Sequence, residues 1–281
     1  RKRRALPGVR YALQSRRLSE VGRQAQDSLS PMRQSGLPAV RIEQEFQKYS
    51  GGVEVKYLSL RGGKLKKLII DDATIYCADC RSILPSLGGV SAIVTDPPYG
   101  IAYHSGYATK KLWAAGRKIT GDETTVVRNE ALQLCRNLCS PMLVFGSHKA
   151  SPPEGTRHTL IWDKGPALGM GALDLPWKPS IEEIYVLGKG FVGKRDEGSV
   201  IYCPPVQSMA KNGRKHPNEK PIPLLRRLIK KCPPGTILDP FMGSGAVGEA
   251  ALLEKRQFIG IEIELQYFEI AKKRIEYAAH S

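Results

Sequence analysis

The sequence lacks any run of about 18 uncharged apolar residues, the length that a membrane-spanning helix requires. Its basic first residues, 1–4, are not followed by an apolar segment, so no secretory signal is recognisable. Six cysteines in 281 residues are too few for a disulfide framework. These absences predict a cytoplasmic protein rather than a secreted or membrane-embedded one.

Acidic residues are scarce relative to basic ones, with 27 Asp and Glu against 43 Lys and Arg, for a formal net charge of +16. Residues 1–67 hold 16 basic and 5 acidic residues, and the remainder holds 27 and 22. Such a surplus favours a nucleic-acid partner, because contacts with phosphates release condensed counterions. A solubilising tail is the alternative explanation for the basic N-terminal segment.

The cysteines also give little support to a metal site. Cys77 and Cys80 form one closely spaced pair, and Cys135 and Cys139 form another. No third cluster follows at the spacing of a zinc finger. We therefore expect buried, reduced thiols and no metal.

Short apolar runs alternate with helical segments from about Leu65 onward, which predicts an α/β fold with a mostly parallel sheet in three layers. The predicted strands are Thr74–Ala78, Ala92–Thr95, Met142–Phe145, Thr159–Trp162, Glu183–Leu187, Thr236–Leu238 and Phe258–Ile263. The predicted helices are Asp122–Leu138, Pro221–Lys231, Gly245–Glu254 and Leu265–Ala278. Seven strands would fill one domain over residues 67–281.

Residues 1–66 show no sustained alternation of polar and apolar residues. Two short helices are compatible with the stretches Tyr11–Leu29 and Val40–Tyr49. Seven glycines and prolines between residues 31 and 63 interrupt the rest. We expect this segment to be a basic extension with weak structure of its own.

A strand, a glycine-rich turn and a helix start follow one another over Thr236–Gly248. Gly243 and Gly245 would let the backbone approach a ligand closely. Glu262 comes at the end of the next strand, where a carboxylate can accept hydrogen bonds from both ribose hydroxyls of a nucleoside. This combination predicts a nucleoside-containing cofactor.

Two cofactors fit the glycine pattern, because Gly243, Gly245 and Gly248 also match the dinucleotide fingerprint of NAD enzymes. Only one predicted strand follows the glycines, whereas a dinucleotide fold needs more. Asp239 precedes them, and its carboxylate would repel a pyrophosphate but attract the ammonium and sulfonium of S-adenosylmethionine. S-adenosylmethionine is therefore favoured over NAD.

The second informative motif, Asp96-Pro97-Pro98-Tyr99, follows a buried strand at the end where open α/β sheets bind ligands. The prolines stiffen the loop and donate no N–H, so their carbonyls are free to accept hydrogen bonds. Asp96 and the Pro97 carbonyl would accept the two hydrogens of an exocyclic amine, and Tyr99 would stack on its planar base. A proline-rich turn with a solvated Asp is the alternative.

On these motifs the chain resembles the S-adenosylmethionine-dependent DNA amino-methyltransferases of the β arrangement, the N6-adenine/N4-cytosine family. The resemblance runs from about Leu65 to the C-terminus and includes His216-Pro217-Asn218-Glu219-Lys220-Pro221. It implies a circularly permuted, Rossmann-like sheet. It also implies roles in cofactor binding for Phe241, Gly243, Gly245 and Glu262, for Asp79 at the adenine amine, and for His216 and Lys220 at the methionine end.

The resemblance further implies direct in-line methyl transfer to an amino nitrogen, with no covalent enzyme intermediate and no metal. The target base must leave the duplex to be reached. A Pro-Cys dipeptide is absent, which argues against carbon-5 cytosine chemistry. The leading Asp96 favours adenine N6 over cytosine N4.

Two basic regions are candidates for DNA contact, with solvated surface lysines as the alternative. The first follows the catalytic loop, and the second, residues 189–215, is the candidate target-recognition segment. Their basic residues are Lys110, Lys111, Arg117, Lys118, Lys194, Arg195, Lys211, Arg214 and Lys215. Trp162 and Trp177 are expected to pack rather than to contact bases.

The sequence thus predicts a site-specific methyltransferase acting on double-stranded DNA in a bacterial or phage-derived system. A homodimer is compatible with the sequence but not indicated by it. The alternatives are an N4-cytosine enzyme, a methyltransferase of RNA or protein amines, and a DNA-binding module without activity.

Overall fold

Eleven strands and five α-helices are present in the residues that the computed structural model describes, 42–50, 53–60, 66–101, 120–166, 176–206 and 219–281, with side chains described from residue 66 onward. The chain divides into two compact units, Arg1–Ile42 and Glu43–Ser281. Apart from its first residue, the described structure belongs to the second unit. No helix within these ranges is long and apolar enough to cross a membrane.

The strands and helices predicted from Thr74 onward are present in the predicted order, and four further strands and one short helix are present besides them. The strands are β1 (Ile42–Ser50), β2 (Val53–Leu60), β3 (Lys66–Ile70), β4 (Ala73–Cys77), β5 (Ala92–Thr95), β6 (Met142–Gly146), β7 (Thr156–Asp163), β8 (Ile181–Leu187), β9 (Val200–Tyr202), β10 (Ile237–Asp239) and β11 (Phe258–Glu262). The helices are α1 (Cys80–Ile83), α2 (Val126–Cys135), α3 (Ile222–Lys230), α4 (Ala246–Leu253) and α5 (Leu265–Ala279), and a 3₁₀ turn covers Leu84–Ser86.

One mixed sheet contains all the described strands, in the order β1-β2-β3-β4-β11-β10-β5-β6-β8-β7-β9. The five central strands, from β4 to β6, run parallel to one another. Strand β4, the first of the parallel strands in the chain, pairs with β11, the last, so that Cys77 lies opposite Glu262. This pairing confirms the predicted permutation, because it is position in the sheet and not order in the chain that decides which strands touch.

The central strands are continuous apolar runs because helices cover both of their faces. Neighbouring residues on one strand point to opposite faces, and Ile93 packs in one core cluster while Val94 packs in the other. Helices α3, α4 and α5 contribute to the same cluster as Val94, whereas α1 and α2 contribute to the cluster of Ile93. This arrangement confirms the predicted three layers.

The edges of the sheet differ from the prediction of seven strands. Residues 42–50 form β1, so the predicted helix over Val40–Tyr49 is wrong. Strand β2 alternates polar and apolar residues in the sequence Val-Glu-Val-Lys-Tyr, a short-period pattern that the sequence analysis missed. Strand β2 pairs antiparallel with β3 across the predicted boundary at residue 66, so the weak structure expected there does not apply to residues 42–50 and 53–60.

At the opposite edge, three strands, β8, β7 and β9, extend the sheet beyond β6. Strand β8 pairs antiparallel with β6 and with β7, and β7 pairs parallel with the short β9. The amino end of β8 therefore lies at the same edge of the sheet as the carboxyl ends of β5 and β6. The functional motifs converge at this edge.

Candidate functional site

A cavity of about 680 Å³ opens at the carboxyl ends of the parallel strands. Its lining includes Asp96, Pro97, Pro98 and Tyr99 after β5 and residues 239–244 after β10. The two motifs identified in the sequence, at least 140 residues apart in the chain (Tyr99 to Asp239), thus share one cleft. This confirms that the proline loop and the glycine turn face a common space.

The glycine turn between β10 and α4 needs glycine at two positions for different reasons. Gly243 and Gly245 both have positive φ, 53° and 84°. A Cβ on Gly245 would lie 3.0 Å from the Ala271 Cα, so the turn packs tightly against α5 there. A Cβ on Gly243 would meet no atom within 4 Å, so the backbone at Gly243 borders open space beside the cavity.

Two buried carboxylates hold this turn in place. Glu262 Oε2 accepts a hydrogen bond from the Gly243 N–H at 2.8 Å, and its Oε1 accepts one from the Glu264 N–H at 2.8 Å. Asp239 Oδ1 accepts hydrogen bonds from the Thr95 hydroxyl at 2.7 Å and from the Phe241 N–H at 3.0 Å. Asp239 also links the turn to β5, the strand that leads into the proline loop.

Burial raises the pKa of both carboxyls to about 7, although the hydrogen bonds that they accept act in the opposite direction. Within the described part of the chain, the hydrogen bonds that Asp239 and Glu262 accept come from a hydroxyl and from backbone N–H groups and not from a cation. Each is therefore poised to change its protonation state near neutral pH. We refer to these two residues and their turn as the glycine wall of the cavity.

The opposite wall centres on Asp96, which follows β5. Its Oδ2 lies 2.6 Å from the Lys220 ammonium, and its Oδ1 accepts a hydrogen bond from the Tyr99 hydroxyl at 2.7 Å. The Lys220 side chain is 5% exposed and its ammonium lies 5.0 Å from the centre of the Phe145 ring. Lys220, predicted to border the cofactor, thus lies directly on the carboxylate of the catalytic loop.

Glu182 completes this wall, and the sequence analysis did not identify it. It lies at the amino end of β8, and its Oε1 is 2.7 Å from Lys220 Nζ and accepts a hydrogen bond from the Tyr99 hydroxyl at 2.6 Å. Its Oε2 is 2.7 Å from Lys164 Nζ, just after β7. We call Asp96, Tyr99, Lys164, Glu182 and Lys220 the lysine wall.

A local signal for Glu182 was present but weak. An acidic pair, Glu182 and Glu183, interrupts an otherwise apolar strand, and one of the two had to face the interior of the protein. Period-two alternation cannot tell which of two adjacent acids does so. The structure answers this because Glu182 pairs in register with Trp162, whose side chain is buried.

Charge sets the pKa values on the lysine wall. Burial raises the pKa of Glu182, but the two ammonium groups of Lys220 and Lys164 outweigh it and hold that pKa at about 2. Burial also raises the pKa of Asp96, with Lys220 opposing the shift and Glu182 adding to it. The pKa of Tyr99 lies well above its usual value because burial and both carboxylates disfavour its ionised form.

Asp79 lies at the same edge of the sheet, where its carboxylate is bound by Arg81, two residues along the chain. It caps α1 by accepting a hydrogen bond from the Arg81 N–H at 2.9 Å, and it forms an ion pair with the Arg81 guanidinium at 2.7 Å. Hydrogen bonds from Arg81 lower the pKa of Asp79 despite partial burial. Asp79 and Phe241 both line the cavity, and the cofactor-binding roles that the resemblance implies for them stay predictions.

The predicted DNA-contact residues are less well placed by the structure. Lys194 and Arg195 are exposed, but they follow the carboxyl end of β8, at the sheet edge opposite the cavity. The Lys194 carbonyl accepts a hydrogen bond from Lys231 at the far end of α3, which agrees with this position. The remaining DNA-contact candidates lie outside the described residues: Lys110, Lys111, Arg117, Lys118, Lys211, Arg214 and Lys215. His216, predicted to border the cofactor, also lies outside them.

The two tryptophans behave differently from each other. Trp162 is buried and its indole N–H donates to the Cys203 carbonyl at 2.7 Å, so its predicted packing role is confirmed. Trp177 is 78% exposed, so the expectation that it packs is wrong. Five of the six cysteines are buried, as expected, and burial raises their pKa values.

Comparison with known proteins shows that part of the chain is similar to a known family. Residues 147–273 match a family described as DNA methylase. The chain is 41% identical over 92 residues to Type II methyltransferase M2.MboI of Moraxella bovis, a match covering 32% of this chain and 34% of that protein. It is 38% identical over 85 residues to DNA adenine methyltransferase YhdJ of Escherichia coli K12, covering 30% and 29%. These two matches span about a third of the length of each relative.

A solved structure supports the fold. The M1.HpyAVI–SAM complex superimposes with a TM-score of 0.51 at 24% sequence identity, covering 72% of this chain and 99% of the other. The shared fold covers more of the chain than the matched family segment does. Both walls of the cavity thus lie on a fold that a protein solved with SAM also has.

Proposed function

We propose that this chain is a DNA methylase of the N6-adenine/N4-cytosine family and that it transfers a methyl group from S-adenosylmethionine to the N6 amine of adenine in DNA. One observation carries the proposal: the Asp96–Tyr99 loop and the glycine turn line a single cavity. Its volume of about 680 Å³ is within the range of small-molecule sites.

The glycine wall has the features that a nucleoside cofactor requires. Open space beside Gly243 allows a ligand to approach the backbone. The Glu262 carboxylate is anchored by two N–H groups and remains able to accept from ribose hydroxyls, since an ionised carboxylate has about four acceptor positions. Phe241 adds an aromatic surface to the lining. When bound here, S-adenosylmethionine supplies an electrophilic methyl group on a sulfonium.

The lysine wall has the features that activate an amine. Asp96 and the Pro97 carbonyl accept the two hydrogens of the target amino group, which withdraws its lone pair from the ring and directs it into the cavity. Catalysis in this scheme comes from position and from preorganised acceptors, since the amine needs no covalent activation. Lys220 opposes the effect of burial on the pKa of Asp96 and so favours the anionic form, which accepts hydrogen bonds.

The target amine lies within the stack of a duplex, so its base has to be extruded to reach Asp96. A planar base beside Tyr99 would gain stacking energy in place of its lost neighbours. Adenine is favoured over cytosine because the motif begins with Asp and because the relative YhdJ is named as a DNA adenine methyltransferase.

The decisive experiment measures modified nucleosides. Genomic DNA lacking N6-methyladenine is incubated with protein and S-adenosylmethionine, digested, and analysed by mass spectrometry. The wild type should produce N6-methyladenine, and Asp96→Ala should reduce it at least 1000-fold while S-adenosylmethionine still binds. N4-methylcytosine instead would assign the alternative base, and methylation by the folded Asp96→Ala variant at the wild-type rate would refute the role of this loop.

Three features of the proposal remain predictions. Double-stranded DNA is the proposed partner, and competition with single-stranded DNA and RNA tests the preference. A homodimer is tested by sedimentation velocity of the free protein. A cytoplasmic location in a bacterial cell follows from the proposed substrate and is tested by cell fractionation.

A further inference from the structure

The Tyr99 hydroxyl has more acceptors around it than it has protons to donate. Asp96 Oδ1 lies 2.7 Å from it and Glu182 Oε1 lies 2.6 Å from it. Lys220 Nζ, at 3.2 Å, donates to the same oxygen. A phenol carries one proton, so the hydroxyl can donate to only one of the two carboxylates at a time.

This competition affects Asp96, because both of its carboxylate oxygens already have hydrogen-bond donors beside them. Its Oδ2 is engaged by the Lys220 ammonium at 2.6 Å. Its Oδ1 faces the Tyr99 hydroxyl. In the proposed reaction a target amine must donate a hydrogen to Asp96, and it competes with the hydroxyl for Oδ1.

We propose that Glu182 is a positioning residue that takes over the Tyr99 hydroxyl bond when the target amine binds, which frees Asp96 Oδ1 for the amine. Glu182 acts through Tyr99 and does not itself touch the base. The inference rests on the proposed function and names a device within that site. The Tyr99 ring hardly moves during the exchange, because the two acceptors lie at nearly equal distances from its oxygen.

Glu182 suits this role because it is held anionic and immobile. Its side chain is 13% exposed and is fixed by Lys164 at one oxygen and by Lys220 at the other. Two carboxylates and two ammonium groups balance in charge over the lysine wall. A carboxylate accepts more strongly than a neutral amide, so Glu182 can outcompete Asp96 only while it keeps its charge.

The test is a double-mutant cycle between Glu182 and Tyr99, measured as the rate of methyl transfer into mixed-sequence DNA at saturating S-adenosylmethionine and DNA. Glu182→Gln weakens the alternative acceptor and leaves the hydroxyl on Asp96, so its kcat should fall roughly tenfold or more. Tyr99→Phe removes the competing proton and should cost less than about threefold. The double variant should recover to within about threefold of Tyr99→Phe.

Recovery by a second substitution is what separates a positioning role from a structural one, because structural damage would add up. Glu183→Gln is the matched control. Glu183 is the adjacent acid on β8 and accepts from the Tyr185 hydroxyl outside the cavity lining. Its kcat should stay within twofold of the wild type, and fluorescence anisotropy should show the same DNA affinity for Glu183→Gln as for the wild type.

Glu182→Asp is a second variant in case Glu182→Gln does not fold. It keeps the charge but places the carboxylate one methylene farther from the hydroxyl, and Tyr99→Phe should rescue it as well. If the wild type methylates DNA but the double variant has a kcat as low as that of Glu182→Gln, the proposed exchange of the Tyr99 hydrogen bond is overturned. The proposed function is then left intact. A wild type that methylates no DNA would refute both.

Discussion

Each wall of the cavity carries two carboxylates, but the groups that contact these carboxylates differ between the two walls. On the glycine wall, Asp239 and Glu262 are stabilised by hydroxyl and backbone N–H donors, and burial raises both pKa values to about 7. On the lysine wall, Glu182 is clamped between two ammonium groups and its pKa falls to about 2. Similar side chains in one cavity are therefore tuned in opposite directions.

The difference shows that burial alone does not set the state of a carboxylate. Desolvation raises the pKa in all these cases. Two ammonium groups reverse the sign at Glu182, whereas the single ammonium at Asp96 opposes the upward shift without reversing it. The glycine wall, with its titratable carboxyls, suits a ligand that brings hydroxyls and positive charge. On the lysine wall, the low pKa of Glu182 keeps that carboxylate charged and so a strong hydrogen-bond acceptor.

The largest effect on stability and activity is expected from removing the Lys220 ammonium, which contacts both Asp96 and Glu182. Lys220→Met leaves Asp96 and Glu182 buried without the cation that lies between them, which should cost about 3–5 kcal/mol of unfolding free energy. Asp96 then takes up a proton, and methyl transfer should fall at least 100-fold. Urea unfolding followed by circular dichroism measures the first quantity.

Lys66→Met is the matched control for Lys220→Met. Lys66 pairs with Glu269 at 3.9 Å, and both side chains are about half exposed. An exposed pair of this kind contributes less than about 1 kcal/mol. Equal losses of stability in the two variants would contradict the distinction between a buried shared cation and an ordinary surface ion pair.

The next effect concerns pH and the glycine wall. The folded-state pKa of Glu262, about 7, lies above its ordinary value of 4.5, so the folded protein binds an extra proton between these values. This stabilisation is complete below pH 4.5 and is lost as the pH rises through 7, and it amounts to on the order of 3 kcal/mol. Glu262→Gln should therefore flatten the decline in unfolding free energy between pH 5 and pH 8.

The comparison predicts the reverse sign for Glu182, whose stabilising contribution is present above pH 4.5 and lost only as the pH falls towards 2. Glu182→Gln should leave the slope between pH 5 and pH 8 unchanged. Titrations of wild type, Glu262→Gln and Glu182→Gln in parallel would measure this. Parallel slopes for the wild type and Glu262→Gln would show that Glu262 is not titrating in this window.

The smallest effect is expected within the glycine turn. Gly243→Ala places a methyl group in open space at a φ of 53°, so it should cost only about 1–2 kcal/mol in stability. Its affinity for S-adenosylmethionine, by isothermal titration calorimetry, should fall up to tenfold, with kcat at saturation unchanged. Gly245→Ala should lose more stability, because its methyl group would press on Ala271.

Most of the central sheet could be predicted because its signal is local. The continuous apolar run Ala92–Thr95 was predicted with its observed bounds, and Phe258–Ile263 extends only one residue too far. The edges were missed for two different reasons. Strand β9 has only three residues, too few for a pattern to stand out. Strand β2, which pairs antiparallel with β3, does alternate polar and apolar residues, but it lies in a segment interrupted by glycines and prolines.

Motif residues could be identified from the chain alone because their neighbours in sequence define their chemistry. Proline after Asp96 and glycine after Asp239 shape the backbone locally, whatever the rest of the chain does. Their convergence on one cleft also followed, because parallel strands present their carboxyl ends at the same edge.

The partners of the charged groups depended on the packed sheet. Lys220 meets Asp96 across 124 residues of chain, and Tyr99 meets Glu182 across 83. The antiparallel placement of β8 brings Glu182 to the catalytic edge and carries Lys194 and Arg195 to the other. Spacing along a chain encodes backbone geometry, whereas the sign of a pKa shift depends on which charges lie within a few ångströms, and only folding brings those together.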